Sequence, residues 1–355
     1  MTEFDGIRNI RPGEELDGAA LRNYLGGIMP EWAEGRLDVK QFTSGHSNLT
    51  YLVRAESGQE MVLRRPPLGP VAARAHDMTR EFGVLSAVHP VFSLAPRPLH
   101  LCEDVSVIGA PFYLMERMRG VTLDRLWPTQ YPDTPQAARD ISQAAVETLA
   151  KIHAVDVLDG VAALGHPEGY LRRQVEGWIT RHERARTSDD RRSEVIGRQL
   201  LDGVPPEGQP TLIHNDFKLN NLLFHHTESN CVTGVVDWEM ATVGDPLSDL
   251  AIALSYWAQS DDPPALATTL SPLTARAGFY TRAEWARAYS EATGRSVEHL
   301  GYYMAFAYFK AAGICQQIYY RYHQGQTADS RFRNLGELAT LLLMTASRYL
   351  HDESN

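Results

Sequence analysis

Two segments of the chain carry side chains that phosphoryl transfer requires: His214-Asn215-Asp216-Phe217-Lys218-Leu219-Asn220-Asn221, and Asp237 further on. In phosphoryl transfer the protein does little covalent chemistry. It supplies metal ligands, a cation at the phosphates and a carboxylate that orients the attacking hydroxyl. Asp216 can orient the acceptor hydroxyl, and Lys218 can neutralise the transferring group. Asn221 and Asp237 offer the oxygen ligands that Mg²⁺ prefers. Together the segments predict the transfer of phosphate from ATP, with Mg²⁺, to a small-molecule hydroxyl.

Taken singly, these residues have ordinary structural roles. Asp and Asn are common in turns, and Asp237 before Trp238 can end a strand or cap a helix. The joint pattern is more demanding. His-x-Asp-x-Lys-x-x-Asn follows the apolar pair Leu212-Ile213, and a second apolar run, Val232 to Val236, ends at Asp237. We therefore favour the catalytic interpretation, and we expect His214 to order the loop by hydrogen bonding rather than to transfer protons.

Alternating apolar residues and turn signals predict strands around one helix in the first third of the chain. Leu49 to Arg54 and Met61 to Arg65 flank the turn-forming pair Ser57-Gly58, which indicates a hairpin. Thr79 to Val88 has apolar residues at helical spacing, so we expect a helix there. Further strands are expected from Pro98 to Cys102 and from Pro111 to Glu116.

Helical periodicity replaces this pattern after Gly120. Ala137 to Ala154 carries one apolar stripe, and long helical stretches recur near the C-terminus, so the boundary between two lobes is expected near residues 118–121. Arg184 to Pro210 is charged and contains Pro and Gly, which makes it a candidate mobile segment. Brief strands at Leu212-Ile213, Leu222 to Phe224 and Val232 to Val236 interrupt the helical part, and the candidate chemistry lies at these breaks.

The composition argues against several classes of function. Lys and Arg number 34 against 44 Asp and Glu, a formal charge of -10, so no basic excess exists for nonspecific nucleic-acid binding. The three cysteines form no Cys-x-x-Cys pair, which argues against a disulfide framework or a thiolate metal site. The N-terminus lacks an apolar secretory core, and Ala251 to Trp257 is too short to span a bilayer. We expect a cytoplasmic protein without membrane or nucleic-acid partners, and we leave a homodimer open.

The two catalytic segments resemble the aminoglycoside phosphotransferase-like branch of the protein-kinase-like fold. The resemblance continues through Val236 to Glu239 and Gly244 to Ala251, which look like that family's metal-binding segment and the following helix start. It implies an α+β, two-lobed fold. Residues 1–118 would form a small, mainly antiparallel β lobe with a helix that binds nucleotide, and residues 119–355 a larger, mainly helical lobe with the catalytic loop, metal site and acceptor site. It also implies that Asp249 braces the backbone of the catalytic loop.

Features near the N-terminus resemble the same family and imply a nucleotide site. Phe42 to Tyr51 looks like the phosphate-covering turn, with Ser47 as a candidate contact, although only one Gly is present. Strand alternation puts Val62 and Arg64 on one face of their strand. Val62 can then cover adenine while Arg64, in place of the family's usual Lys, reaches phosphate. Glu81 is the expected ion-pair partner of Arg64.

The segment Pro111 to Met118 looks like the strand and hinge that join the lobes in this family. The hinge backbone would pair with adenine, and we choose the Glu116 carbonyl and the Met118 amide. Because backbone atoms make such bonds, the side chains constrain this choice weakly. The sequence leaves open whether ATP or GTP is the donor.

Three segments bear on the acceptor: Leu63 to Pro67, Tyr170 to Trp178 and Ala311 to Arg321. They resemble the kinase-like domains found at the N-terminus of certain acyl-CoA dehydrogenases. That resemblance implies a hydroxyacyl-CoA or a hydroxy acid as the acceptor. The helical stretch Tyr302 to His323 agrees, because it supplies side chains suited to an anionic or mixed acceptor, namely Lys310, Tyr319, Tyr320, Arg321 and His323.

Other functions stay open. The acidic net charge fits a polycationic aminoglycoside as the acceptor. Arg64 and the single-glycine turn fit a nucleotide-binding pseudokinase scaffold, although the base and the metal ligands are retained. A metal-dependent phosphohydrolase that uses His214, Asp216 and the neighbouring histidines has the least support from residue spacing.

Overall fold

The chain divides into two units, which we call the β unit and the helical unit. A computed structural model describes residues 6–42, 48–68, 77–267, 271–327 and 329–352. The chain first crosses between the units after Thr122. The β unit holds the residues up to Thr122 with Leu222–His226 and Val232–Glu239, and the helical unit holds Leu123–Asn221, Thr227–Cys231 and the residues from Met240 onward.

An antiparallel sheet forms the main part of the β unit. Its order is β1-β2-β3-β4-β6-β5, and its strands are β1 (Ile7–Arg8), β2 (Asp38–Phe42), β3 (Leu49–Arg54), β4 (Glu60–Arg65), β5 (Pro98–Cys102) and β6 (Phe112–Glu116). The pairing of β3 with β4 runs from Leu49 opposite Arg65 to Arg54 opposite Glu60, which confirms the predicted hairpin. Gly58 has a φ of 89° in its turn, a conformation that glycine adopts at least cost.

Helix α1 (Gly18–Ile28) supplies part of the core of the β unit. Leu21 and Leu25 are fully buried in the same apolar cluster as Tyr51 of β3. Burying each such side chain contributes about 1.5–3 kcal/mol. Asp17 caps the helix by accepting hydrogen bonds from first-turn amides. The sequence patterns that we used did not predict this helix.

Helix α2 and a small second sheet complete the β unit. Asp77 caps α2 (Met78–Val88), which confirms the helix predicted from Thr79 to Val88. The second sheet has the order β10-β9-β7, so two strands from late in the sequence join one from the first part. These strands are β7 (Val121–Thr122), β9 (Leu222–Phe224) and β10 (Val232–Val235).

Helices dominate the second unit. They are α3 (Pro135–His153), α4 (Asp159–Ala162), α5 (Tyr170–Arg184), α6 (Arg192–Asp202), α7 (Pro246–Ser255), α8 (Pro264–Ala267), α9 (Arg282–Thr293), α10 (Leu300–His323) and α11 (Leu335–Asp352). Helix α3 confirms the helix predicted from Ala137 to Ala154. The strands β8 (Thr211–Ile213) and β11 (Thr242–Gly244) pair antiparallel. No helix in the described ranges is long and apolar enough to cross a membrane.

The charged segment from Arg184 to Pro210 contains helix α6. Ile196 and Leu200 lie four residues apart on one face of this helix and are buried. The hydroxyl of Tyr302 on α10 donates a hydrogen bond to the Leu200 carbonyl at 2.8 Å. Since α6 has a buried face and is bonded to α10, the structure corrects the expectation of a mobile segment for residues 192–202.

Candidate active site

The predicted catalytic loop joins β8 to a short 3-10 helix, Leu219–Asn221, within the helical unit. Asp249, in the first turn of α7, fastens the backbone of this loop. Its Oδ2 accepts a hydrogen bond from the His214 amide at 2.7 Å, and its Oδ1 accepts one from the Asn215 amide at 2.7 Å. These two bonds are the kind of bracing that the family resemblance implied for Asp249.

A buried network keeps Asp249 ionised. Burial by itself would raise the pKa of this carboxyl group, but hydrogen bonding and charge interactions with His153 and His214 lower its pKa below the ordinary value. His153 Nε2 lies 3.2 Å from Asp249 Oδ2, and its Nδ1 lies 2.6 Å from the Tyr289 hydroxyl oxygen. With the ring proton on Nε2, His153 donates to Asp249 and accepts from Tyr289. The loop backbone is therefore held by a carboxylate that is itself held in place.

Both segments that the sequence predicts to be catalytic contain a residue with unusual backbone geometry. Among the described non-glycine residues, positive φ occurs at Asn215 (65°) and Asp237 (67°). Asn and Asp enter this left-handed region more readily than other L residues. Asn215 is held there by hydrogen bonds from its Nδ2 to the Met240 carbonyl and from the Tyr170 hydroxyl to its Oδ1. Such geometry persists only where the surroundings enforce it, and it concentrates at functional sites.

Asp216 gathers the polar side chains of the loop. Its Oδ2 accepts a hydrogen bond from Asn221 Nδ2 at 3.0 Å and lies 2.9 Å from Lys218 Nζ. Asn221 Nδ2 also donates to the Asp216 carbonyl at 2.9 Å, so the amide nitrogen of Asn221 is turned toward Asp216. The Asp216 amide donates to His214 Nδ1 at 3.3 Å, in keeping with a loop-ordering role for that histidine. The structure thus brings Asp216, Lys218 and Asn221 together.

In the β unit, Arg64 of β4 lies among three carboxylates. Its Nε is 3.1 Å from Glu81 Oε2, and its Nη2 is 2.8 Å from Asp237 Oδ1 and 2.7 Å from Glu239 Oε2. Burial disfavours the charged guanidinium, but Tyr113, Asp237 and Glu81 raise the pKa of Arg64 well above its ordinary value. Burial raises the pKa of Glu81, although Arg64 acts against this. One arginine side chain therefore ties β4 to α2 and to the segment that follows β10.

Sequence reasoning assigned no role to Asn48 or Glu239. Asn48 Nδ2 donates hydrogen bonds to Glu81 Oε1 at 2.6 Å and to Glu239 Oε2 at 3.2 Å. This amide therefore links two of the carboxylates that surround Arg64. Glu239 could have been identified from its position two residues after Asp237. A second acidic residue so close to a predicted metal ligand is itself a candidate for the site.

The structure describes three of the four other residues predicted for the nucleotide site. Ser47 lies outside the described residues. Val62 is buried on β4, Glu116 ends β6, and Met118 follows in a stretch without regular secondary structure. Their contacts with adenine or phosphate stay predictions.

Comparison with known proteins identifies the family. The model of the phosphotransferase enzyme family matches residues 38–289, a range that includes the catalytic loop, Asp237 and Arg64. The chain belongs to this family. This match confirms the family resemblance that the sequence of the loop and its neighbouring segments had indicated.

One relative of this phosphotransferase-family chain is acyl-CoA dehydrogenase family member 11 of Gallus gallus. The two are 33% identical over 344 residues, which cover 92% of this chain but 43% of the relative. The chain thus spans less than half the length of the curated relative that it matches, and the similarity concerns that part of it alone.

Solved structures confirm the predicted fold class. A crystal structure from Ralstonia eutropha JMP134, provisionally assigned as an aminoglycoside phosphotransferase, has a TM-score of 0.79 and 28% identity, and the match covers 95% of this chain and 99% of that one. A spectinomycin phosphotransferase in complex with ADP and spectinomycin has a TM-score of 0.58 and 13% identity, with 96% and 99% covered. At that identity the second likeness concerns the fold alone. The α+β, kinase-like phosphotransferase fold is the one expected from the sequence.

Proposed function

We propose that this chain transfers the γ-phosphate of ATP, with Mg²⁺, to a hydroxyl group of a small molecule. Family membership supports phosphoryl transfer. ADP in the spectinomycin phosphotransferase supports a nucleotide as the donor. The observation that carries the proposal is the loop in which Asp216, Lys218 and Asn221 meet at 2.9–3.0 Å on a backbone fastened to Asp249.

Asp216 is the residue that we propose to orient the acceptor hydroxyl and to take its proton. Its Oδ2 is engaged by Lys218 and Asn221, whereas no hydrogen bond from the described part of the chain reaches its Oδ1. Oδ1 is therefore the atom offered to the acceptor. A carboxylate within hydrogen-bond reach of a hydroxyl supports its attack on phosphorus, and Lys218 keeps a cation beside the charge that develops.

The donor set suits Mg²⁺, which prefers oxygen ligands. Because Asn221 turns its amide nitrogen toward Asp216, its Oδ1 is the atom left for a metal, and Asp237 would supply a carboxylate. In the described ranges no group of three or more His, Cys, Asp or Glu residues forms a metal site. We propose that one or two protein oxygens would hold the ion together with substrate phosphates. Bound Mg²⁺ would neutralise charge on the phosphates.

For the acceptor we propose a hydroxyacyl-CoA or a hydroxy acid. Similarity to part of an acyl-CoA dehydrogenase family member supports this class. An aminoglycoside is the second candidate, because the Ralstonia eutropha structure carries that provisional assignment at 28% identity. The two classes differ in charge, so the range of acceptors that the protein phosphorylates discriminates between them.

The test compares wild-type protein with Asp216→Ala and with Asp140→Asn, a control at a partly exposed position of α3. ATP consumption is measured with hydroxyacyl-CoAs, hydroxy acids and aminoglycosides, and ³¹P NMR identifies each phosphate ester. We expect Asp216→Ala to lower turnover by about 10²–10⁴-fold, the usual contribution of a general base, while the control keeps wild-type turnover.

Unchanged turnover in Asp216→Ala would refute the assignment of the base. Wild-type protein that binds Mg-ATP but phosphorylates none of the acceptors would favour the pseudokinase scaffold. Phosphorylation confined to aminoglycosides would replace our proposed acceptor class.

A further inference from the structure

Lys310 is one of four lysines among the 34 Lys and Arg residues of the chain. The others are Lys40, Lys151 and Lys218, and Lys218 belongs to the catalytic loop. Lys310 lies on α10 within the helical unit and is only 9% exposed. Lysine presents a compact ammonium with three hydrogen-bond donors and no acceptor, whereas arginine presents a planar fork. A chain that uses arginine for most of its cations thus has a lysine at a buried position near its catalytic loop.

Within the described part of the chain, the ammonium of Lys310 has no bonded partner. No hydrogen bond, ion pair or ring contact reaches it from any residue within the described ranges. The carboxylates of Asp216 and Asp249 attract it through their charge, and Arg181 of α5 repels it. Those two carboxylates are already hydrogen-bonded, Asp216 by Lys218 and Asp249 by the loop amides. Lys310 therefore interacts with Asp216 of the loop through charge but forms no hydrogen bond or ion pair with any loop residue.

The Lys310 side chain is largely buried, although its nitrogen keeps some contact with solvent. A cation in such a place loses part of its hydration, which destabilises the folded protein unless a partner compensates. Burial lowers the pKa of Lys310 below its ordinary value, and the two carboxylates do not fully compensate. A lysine that served only to balance these carboxylates would gain most by bonding to one of them. A ligand with an oxygen acceptor would instead supply the bonds that Lys310 lacks.

We infer that Lys310 is a specificity-determining residue of the acceptor site, where its ammonium receives the acyl oxygen of the molecule whose hydroxyl Asp216 orients. The inference rests on the proposed phosphotransferase function. The ligand atom is a carboxylate oxygen in a free hydroxy acid or the thioester carbonyl oxygen in a hydroxyacyl-CoA. Because an ammonium can only donate hydrogen bonds, the same group disfavours the ammonium-rich rings of aminoglycosides.

The activity test uses Lys310→Met, which leaves an unbranched side chain one atom shorter and removes the charge, and Lys151→Met, a control on the exposed face of α3. The acceptors are 3-hydroxybutyryl-CoA, 3-hydroxybutyrate and 1,3-butanediol, which has no acyl oxygen. We expect Lys310→Met to raise KM for the acyl acceptor in use by about 10- to 100-fold, the range for a hydrogen bond to a charged group. KM for ATP and turnover of the diol should match those of the control.

Thermal stability separates this role from a purely structural one. If Lys310 is a largely buried cation whose bonding partner is the ligand, Lys310→Met raises the Tm of the ligand-free protein. If it stabilises the fold, the same variant lowers the Tm and reduces activity on all three acceptors equally. A lower Tm with an equal loss on all acceptors would overturn the inference.

A binding measurement keeps this test separate from the test of the proposed function. Reductive ¹³C-methylation labels the four lysines and the N-terminus, and lysine-to-arginine variants assign the signals. We expect 3-hydroxybutyryl-CoA or 3-hydroxybutyrate to shift the Lys310 signal, and 1,3-butanediol to leave it unchanged. Wild-type protein that phosphorylates none of the three acceptors counts against the proposed function, whereas an unmoved Lys310 signal overturns the inference by itself.

Discussion

Asp249→Asn is the most direct test of how the catalytic loop is held. The substitution keeps the shape of the side chain but replaces one carboxylate oxygen by an NH₂ group. In wild type the two oxygens each accept a loop amide at 2.7 Å. In either orientation of the asparagine, one buried loop amide must then face a donor instead of an acceptor.

The size of the effect follows from these contacts. A hydrogen bond to a charged group contributes about 1.5–3 kcal/mol, and a buried donor left without a partner costs about 1–3 kcal/mol. These two contributions overlap, so we expect the free energy of unfolding to fall by about 2–4 kcal/mol. Because the loop also positions Asp216, turnover should fall with it. The control substitution Asp140→Asn, at a partly exposed position of α3, should stay within about 0.5 kcal/mol of wild type.

Urea unfolding as a function of pH provides the assay. Folding lowers the pKa of Asp249 below 3.8, so its ionised form contributes stability that is fully present above pH 3.8 and is lost as the pH falls through the folded-state pKa. The difference between wild type and Asp249→Asn should therefore be constant near neutral pH and shrink below pH 3.8. A difference under about 0.5 kcal/mol at neutral pH, with normal turnover, would refute the bracing role.

Three further substitutions test other contacts. Arg64→Lys should lower the free energy of unfolding by about 1–3 kcal/mol in urea, because one ammonium cannot replace Nε and Nη2 contacts to carboxylates on separate elements; an unchanged midpoint would contradict this. Thr281→Ala removes the capping box of α9 and should cost about 1 kcal/mol by thermal unfolding without affecting turnover. Asn215→Ala should reduce turnover more than Asn215→Gly does, since glycine tolerates a φ of 65°; equal rates for the two variants would argue against backbone geometry as the cause.

The sequence predicts an element well where one periodic signal dominates. Leu49 to Arg54 and Met61 to Arg65 flank a turn and form the expected hairpin, because alternation and the glycine turn agree. Helix α6 was missed, since the composition of Arg184 to Pro210 is dominated by charges. The apolar pair at Ile196 and Leu200 that buries this helix is too short a stripe to stand out against them.

In the candidate site, contacts between residues close in sequence were predictable, and contacts between residues far apart in sequence were not. Asp216, Lys218 and Asn221 lie within one short loop, so their spacing was enough to predict that they meet. Asn48 contacts Glu81 and Glu239 across large sequence separations. No periodicity or spacing encodes such a contact, because it depends on how strands and helices pack after they form.

The late return of the chain to the β unit has a consequence for folding during synthesis. β7 pairs with β9, yet four helices are synthesised between them, so the small sheet cannot close until residue 224 is available. Contacts of this sequence separation carry a loop-closure cost and slow folding. A fragment that ends at Thr122 would also leave Arg64 with Glu81 but without Asp237 and Glu239. The β unit is therefore not a segment that can be cut out at the first crossing; it depends on residues that the ribosome adds more than a hundred positions later.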